Sequence, residues 1–149
     1  MSEPSRVPPD EALRLVEEEG YVHLDVRTEA EWAAGHPSGA HNVPFMLAGP
    51  SGMTPNPEFH DVVQAIYPTS VKLVVSCKSG GRSLRAAREL LARGYAMVVD
   101  QRAGWDGARN GFGQITEPGW SQRGLPHERE TPGASYAELR ARATPTGGA

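Results

Sequence analysis

The segment Cys77-Lys78-Ser79-Gly80-Gly81-Arg82-Ser83 gathers a thiol, two cations and two adjacent glycines into one short stretch. Cys77 is the only cysteine of the chain. That excludes an intramolecular disulfide and CxxC zinc or redox chemistry, and leaves either a small buried hydrophobe or a free reactive thiol. The neighbours favour the thiol. Gly80 and Gly81 permit tight curvature that turns several backbone N–H groups inward, and a helix starting there offers more N–H groups without intrahelical partners. Lys78 and Arg82 add positive charge and, with the helix dipole, favour the thiolate that acts as nucleophile. A cysteine that merely packed beneath a helix would leave both cations converging on a turn with no anionic partner. Cys77 is therefore the candidate nucleophile. Lys78 and Arg82 are the candidate groups orienting an anionic substrate, and the amides of Ser79, Gly80, Gly81, Arg82 and Ser83 the candidate cradle for the transferred atom.

Such a loop needs a strand before it and a helix after it, and the sequence supplies both. The mostly apolar, β-branched run Val71–Ser76 predicts a strand buried in a parallel sheet, with Cys77 at its C-terminal end, where open α/β sheets place their ligands. Leu84, Ala87, Leu90 and Leu91 mark the following helix, closed by Gly94, and Met97–Asp100 reads as another strand. Upstream, Pro8–Gly20 predicts an opening helix and Tyr21–Asp25 a strand. Thr28, three residues before Glu31, matches the reciprocal cap of a helical turn over 29–34. Residues 35–44 read as loop with a brief strand near 41–43, and 50–57 as loop. Phe59, Val62, Val63 and Ile66 recur at helical spacing until Pro68 ends the run. Strand and helix alternate, which predicts parallel strands with helices on both faces of the sheet. Past Gly104 the chain turns rich in Gly and Pro, with a short helix predicted at 135–143, Trp120 as a packing anchor and a frayed TPTGGA end.

With 149 residues, 38% hydrophobic content and a formal charge of −3, the chain fits one ordinary globular core and lacks the basic excess of a nucleic-acid binder. Its N-terminus MSEPSRVPPDEAL has no apolar core of secretory type, and no apolar run approaches the roughly 20 residues of a membrane span. The expectation is a cytoplasmic protein with no membrane or nucleic-acid partner. The five histidines are scattered at no zinc spacing, so neither metal nor other cofactor is expected. His36 reads as a loop hydrogen-bonder, and Trp105 as a core cap or pocket flank.

Three motifs carry a family resemblance. Residues 24–44, LDVRTEAEWAAGHPSGAHNVP, resemble the first motif of the rhodanese homology domain, and VVSCKSGGRSLRAAREL resembles its active-site loop and helix. MVVDQRAGWDGARNG resembles its late strand and glycine–tryptophan turn, with Arg102 and Ala103 where a Gly-Gly pair is common. The resemblance spans roughly Pro8 to Gly111. It implies a three-layer α/β fold with a five-stranded parallel sheet and helices on both faces, and a catalytic cysteine, here Cys77, that alternates between thiolate and persulfide. Asp25 and Arg27, from the first motif, are expected to support the site by tying the first strand to the active-site loop. The organisation expected is a rhodanese-like domain over residues 1–116 and a C-terminal extension over 117–149, partly wrapped on the domain.

Four residues separate Cys77 from Arg82, one fewer than in phosphatases that resemble this fold, so the cradle suits a sulfane sulfur rather than a phosphate ester. The expected activity is sulfur transfer from a small anionic donor, thiosulfate first, through a Cys77 persulfide to an external thiol or cyanide. A non-catalytic persulfide carrier or sensor serving a protein partner is the alternative, and a thiol phosphatase or arsenate reductase the third reading.

Overall fold

The structure, a computed structural model, describes residues 3–143. The chain opens with strand β1 (Ser5–Val7), helix α1 (Pro9–Glu18), strand β2 (Val22–Asp25) and helix α2 (Glu29–Ala34). Two short strands, β3 (His36–Pro37) and β4 (His41–Asn42), and a hairpin of β5 (Met46–Gly49) and β6 (Gly52–Pro55) lead to helix α3 (Phe59–Ile66). Then come β7 (Leu73–Ser76), α4 (Gly81–Ala92) and β8 (Val98–Gln101). The last stretch holds β9 (Ala108–Arg109), β10 (Ile115–Glu117), β11 (His127–Glu128) and α5 (Tyr136–Ala143). The expected frayed end at 144–149 lies outside the described residues.

Five strands form one sheet in the order β1-β8-β7-β2-β4, every pairing parallel. Alternation along the strands feeds two cores. Leu73 and Val75 of β7, Leu24 of β2 and Val98 of β8 face the layer built by α3, α4 and α5, where they meet Phe59, Val63, Ala87, Leu90, Tyr136 and Leu139. Val74 and Val99 face the opposite layer, where Ala12 and Leu15 of α1 and the fully enclosed Trp120 cover them. Helices thus lie on both faces, and β7, buried at all four positions, is the strand that delivers Cys77. Among the described residues no helix is long and apolar enough to cross a membrane.

Two features depart from the reading of the sequence. The edge strand β1 is only three residues between two prolines, too short for a periodic signal. The stretch read as loop over 50–57 contains the return strand of the β5–β6 hairpin, turned by Pro50 and Ser51 with Gly52 at φ +101°. The tail is woven into the fold: β11 pairs antiparallel with β3, and α5 packs on α3.

Candidate active site

Residues 77–80 bridge β7 and α4 as a tight loop. Gly80 caps α4 at φ +101°, in the left-handed region that a side chain disfavours. A Cβ there would also overlap Arg102 O. Cys77 is 2% exposed, and its Sγ accepts the Gly80 N–H at 3.1 Å. On its other side the thiol donates to Ser83 Oγ at 3.4 Å. The first helical bond after the cap, Leu84 N–H to Gly80 O at 3.3 Å, leaves the amides of Gly81, Arg82 and Ser83 ahead of it without intrahelical acceptors. Sulfur thus sits at the amino end of α4, in a place built for negative charge.

The segment after β8 clamps the loop from outside. Trp105 N–H donates to Cys77 O at 2.8 Å and Asp106 N–H to Lys78 O at 2.9 Å. Gly104 stands so close that a Cβ would fall 2.7 Å from Cys77 O and nearer still to Lys78 O. Gln101 holds this turn, accepting from Ala103 N and Gly104 N through Oε1 and donating to Gly104 O through Nε2. Of the Arg102-Ala103-Gly104 stretch, Gly104 is pressed on Cys77 and Lys78, and the Arg102 carbonyl on Gly80.

The two loop cations have separate employments. Arg82 makes a two-pronged pair with Glu31 at 2.8 and 3.1 Å, joining the first turn of α4 to α2. Glu31 also completes the reciprocal cap of α2 with Thr28. Burial alone would raise the Glu31 carboxyl, but Arg82 and the Thr28 donors outweigh it and hold its pKa at about 2. Lys78 is half exposed at the rim, its Nζ 3.9 Å from Asp106 Oδ2. Ser79 is exposed beside it.

Asp25 and Arg27 lie buried against each other, 2.7 Å apart at their closest. Arg27 also donates to Gly35 O and lies over the Trp105 ring, 5.0 Å from its centre. Their link to the loop runs through Trp105, since neither contacts residues 77–83 by a hydrogen bond. His36 is enclosed between Trp32 O at 2.7 Å and Thr131 Oγ1 at 2.8 Å and stacks on Trp32. Among the described residues no cluster of His, Cys, Asp and Glu offers a metal site.

Residues 8–110 match the family described as Rhodanese-like domain. The chain belongs to that family. It is 40% identical over 116 residues to thiosulfate sulfurtransferase 16, chloroplastic, of Arabidopsis thaliana, covering 75% of this chain and 97% of that protein. To thiosulfate sulfurtransferase GlpE of Pseudomonas putida it is 32% identical over 106 residues, 71% of this chain and 86% of that one. Against the senescence-associated protein DIN1 of Raphanus sativus the identity is 42% over 104 residues, and the match spans 57% of that protein. The fold is shared with the crystal structure of Rv0390 from M. tuberculosis at a TM-score of 0.71 and 26% identity, covering 87% of this chain and all of that one.

The rhodanese-like site includes residues that the sequence reading passed over. Glu31 was legible only as a helix cap, yet it holds Arg82. Arg6 and Asp100 form a 2.7 Å pair beneath the loop, and Arg6 Nη2 reaches Gly80 O at 3.4 Å. The signal for Asp100 was a carboxylate at the C-terminal end of an apolar strand, the position where parallel sheets collect site residues.

Proposed function

We propose that this rhodanese-like protein is a sulfurtransferase that carries sulfane sulfur on Cys77, taking it from a small anionic donor such as thiosulfate and giving it to an external thiol or to cyanide. The observation that carries the reading is the enclosed Sγ at the amino end of α4, hydrogen-bonded by Gly80 N–H. The Cys77 thiolate attacks the outer sulfur of the donor; the new S–S bond forms as the donor's own S–S bond breaks, and the electron pair leaves with the sulfite or thiolate fragment. The amides of Gly80 to Ser83 then stabilise the terminal sulfur of the persulfide. Lys78 at the rim orients the donor's anionic end. Arg82, engaged with Glu31, fixes the loop and adds its field. With one cysteine in the chain, discharge needs an acceptor from outside.

The test is intact mass after incubation with thiosulfate, for the native chain and Cys77→Ser, followed by cyanide. A gain of about 32 Da, one sulfur atom, absent in the variant and removed by cyanide as thiocyanate, is the expected result. No gain with thiosulfate or any other persulfide donor overturns the reading.

A second reading, a persulfide carrier for a protein acceptor, is favoured by one surface feature. The β9–β10 hairpin follows directly on the segment clamping the loop, and its tip exposes Phe112 almost completely (91%). A carrier discharges slowly to small thiols, and Phe112→Ser would slow delivery to its partner while leaving persulfide loading intact.

A further inference from the structure

Asp100 and Val98 point to the same face of the sheet, so Asp100 lies under the first turn of α4, fully buried. Its Oδ2 accepts from Arg6 Nε at 2.7 Å. Its Oδ1, equally buried, accepts no hydrogen bond among the described residues. An unpartnered carboxylate oxygen inside a core is costly and calls for a donor. The neighbouring donor is Ser83, whose hydroxyl gives its proton to Gly80 O at a long 3.4 Å in this arrangement. Ser83 is near enough to lower the carboxyl as a side-chain hydrogen-bonding neighbour, although its hydroxyl, turned to Gly80 O, makes no bond of ordinary geometry to Oδ1. Ser83 is also the group that accepts the thiol proton of Cys77. Thiol, hydroxyl and carboxylate thus stand in one enclosed row.

We propose that Asp100 is a positioning residue for the thiol chemistry, taking up through the Ser83 hydroxyl the proton that Cys77 releases when it becomes a nucleophile. The S–H bond of Cys77 breaks as a new Oγ–H bond forms on Ser83, and the original Oγ–H bond breaks as Oδ1–H forms. The electron pair stays on Sγ. One negative charge moves from Asp100 to sulfur, so the buried row keeps its total charge and no new ion must be stripped of water. Sulfur receives the charge among the Gly80 N–H and the field of Arg82, itself paired with Glu31 and influenced by Asp25. Lys78 stands next in the chain. Asp100 is faced by Arg6 from β1 and Arg88 and Ser83 from α4, and β7 presents only Val75 opposite it. Burial raises the Asp100 pKa above the ordinary carboxylate value, and Ser83, Arg6 and Arg88 oppose that rise without cancelling it. A raised carboxyl is the better proton store for a thiol.

The inference rests on Cys77 as the reacting group, and its test needs no sulfur donor, so it fails separately from the sulfurtransferase reading. The rate of Cys77 alkylation by iodoacetamide is followed by intact mass across pH for the native chain, Asp100→Asn, Ser83→Ala and Arg6→Gln, with thermal melts confirming folding. In the native chain the rate falls less than about tenfold per pH unit on the acid side, because the row supplies thiolate without losing a proton to water; in Asp100→Asn and Ser83→Ala it falls the full tenfold. At about pH 6 both variants react at least threefold more slowly, their double variant no worse than either, and Arg6→Gln reacts faster. A purely electrostatic role predicts the opposite signs, since losing a carboxylate favours a nearby thiolate and losing a guanidinium disfavours it. Folded Asp100→Asn with a native or faster profile overturns the proposal. Should Asp100→Asn not fold, slower alkylation in Arg6→Gln or an unchanged profile in Ser83→Ala overturns it instead.

Discussion

Gly104 is the residue packed most tightly on the backbone of Cys77 and Lys78. Its φ is +64°, and the space of a Cβ is taken by the carbonyls of Cys77 and Lys78. Gly104→Ala must push the Cys77 loop away from β8 or distort the turn. A loss of about 1–3 kcal/mol in thermal or urea unfolding is expected. Cys77 persulfide loading should drop by about tenfold or more, since small displacements of reacting groups are costly. A native loading rate would show that the loop is held by other contacts. Glu31 makes a different prediction. Glu31→Ala removes both the α2 cap and the partner of Arg82, and should cost about 1–2 kcal/mol, whereas Glu31→Gln keeps a capping acceptor and should cost less. At this scale the sequence disclosed what depends on neighbours in the chain: Cys77, the glycines and the Thr28–Glu31 cap. It did not disclose that Arg82 would meet Glu31, 51 residues away, or that Asp100 would face Ser83, because such pairs exist only once two elements pack.

Among the elements, the last quarter of the chain has the most consequence for stability. Trp120 is enclosed between α1 and the sheet, with its Nε1 donating to Pro126 O at 2.8 Å, and its ring meets His23 edge-on. Trp120→Ala should cost about 3–5 kcal/mol, read as a fall in the urea midpoint at unchanged m-value. Helix α5 begins with Ser135 and Glu138 capping each other reciprocally. Ser135→Ala is therefore worth about 1 kcal/mol, unless α5 contributes nothing to the cooperative unit. A deletion from residue 117 onward would remove Trp120, Tyr136 and Leu139 from the two cores, so point changes, rather than truncation, separate partner binding from folding here. The long helices were legible because each shows a helical apolar stripe. The strands β1, β3 and β11 were not, because two or three residues carry no period and their pairing is decided by where distant segments dock.

For the whole molecule, acid is the condition that tests the buried polar groups together. His23 is enclosed between Ser76 and Trp120, and burial pushes its pKa down to about 4. Burial also lowers His36 and His41. In the unfolded chain these histidines take up protons near pH 6.5, while in the folded chain they resist. Stability is thus full above about pH 6.5 and declines as pH falls toward 4, with His23 alone accounting for about 3 kcal/mol. Glu31 extends the decline: its depressed carboxyl stabilises the fold above the ordinary carboxylate range, and that contribution is lost as pH falls through about 2. Urea unfolding from pH 7 to 4 checks the sign, and a flat profile would mean that the histidines are solvated. His23→Gln should flatten the upper part of the slope.

The pairing of β1 with β8 sets Ser5 against Val99 and Arg6 against Asp100. Nearly a hundred residues of chain must be made before this edge of the sheet can close, and contacts of such long range form late and slowly. On the ribosome, Cys77 would emerge before the strand that carries Asp100, and the turn holding Gly104 follows later still. A nascent or partly opened chain therefore has its thiol without the enclosure that selects what it reacts with, and oxidative damage to Cys77 should track translation and unfolding rather than the amount of finished protein.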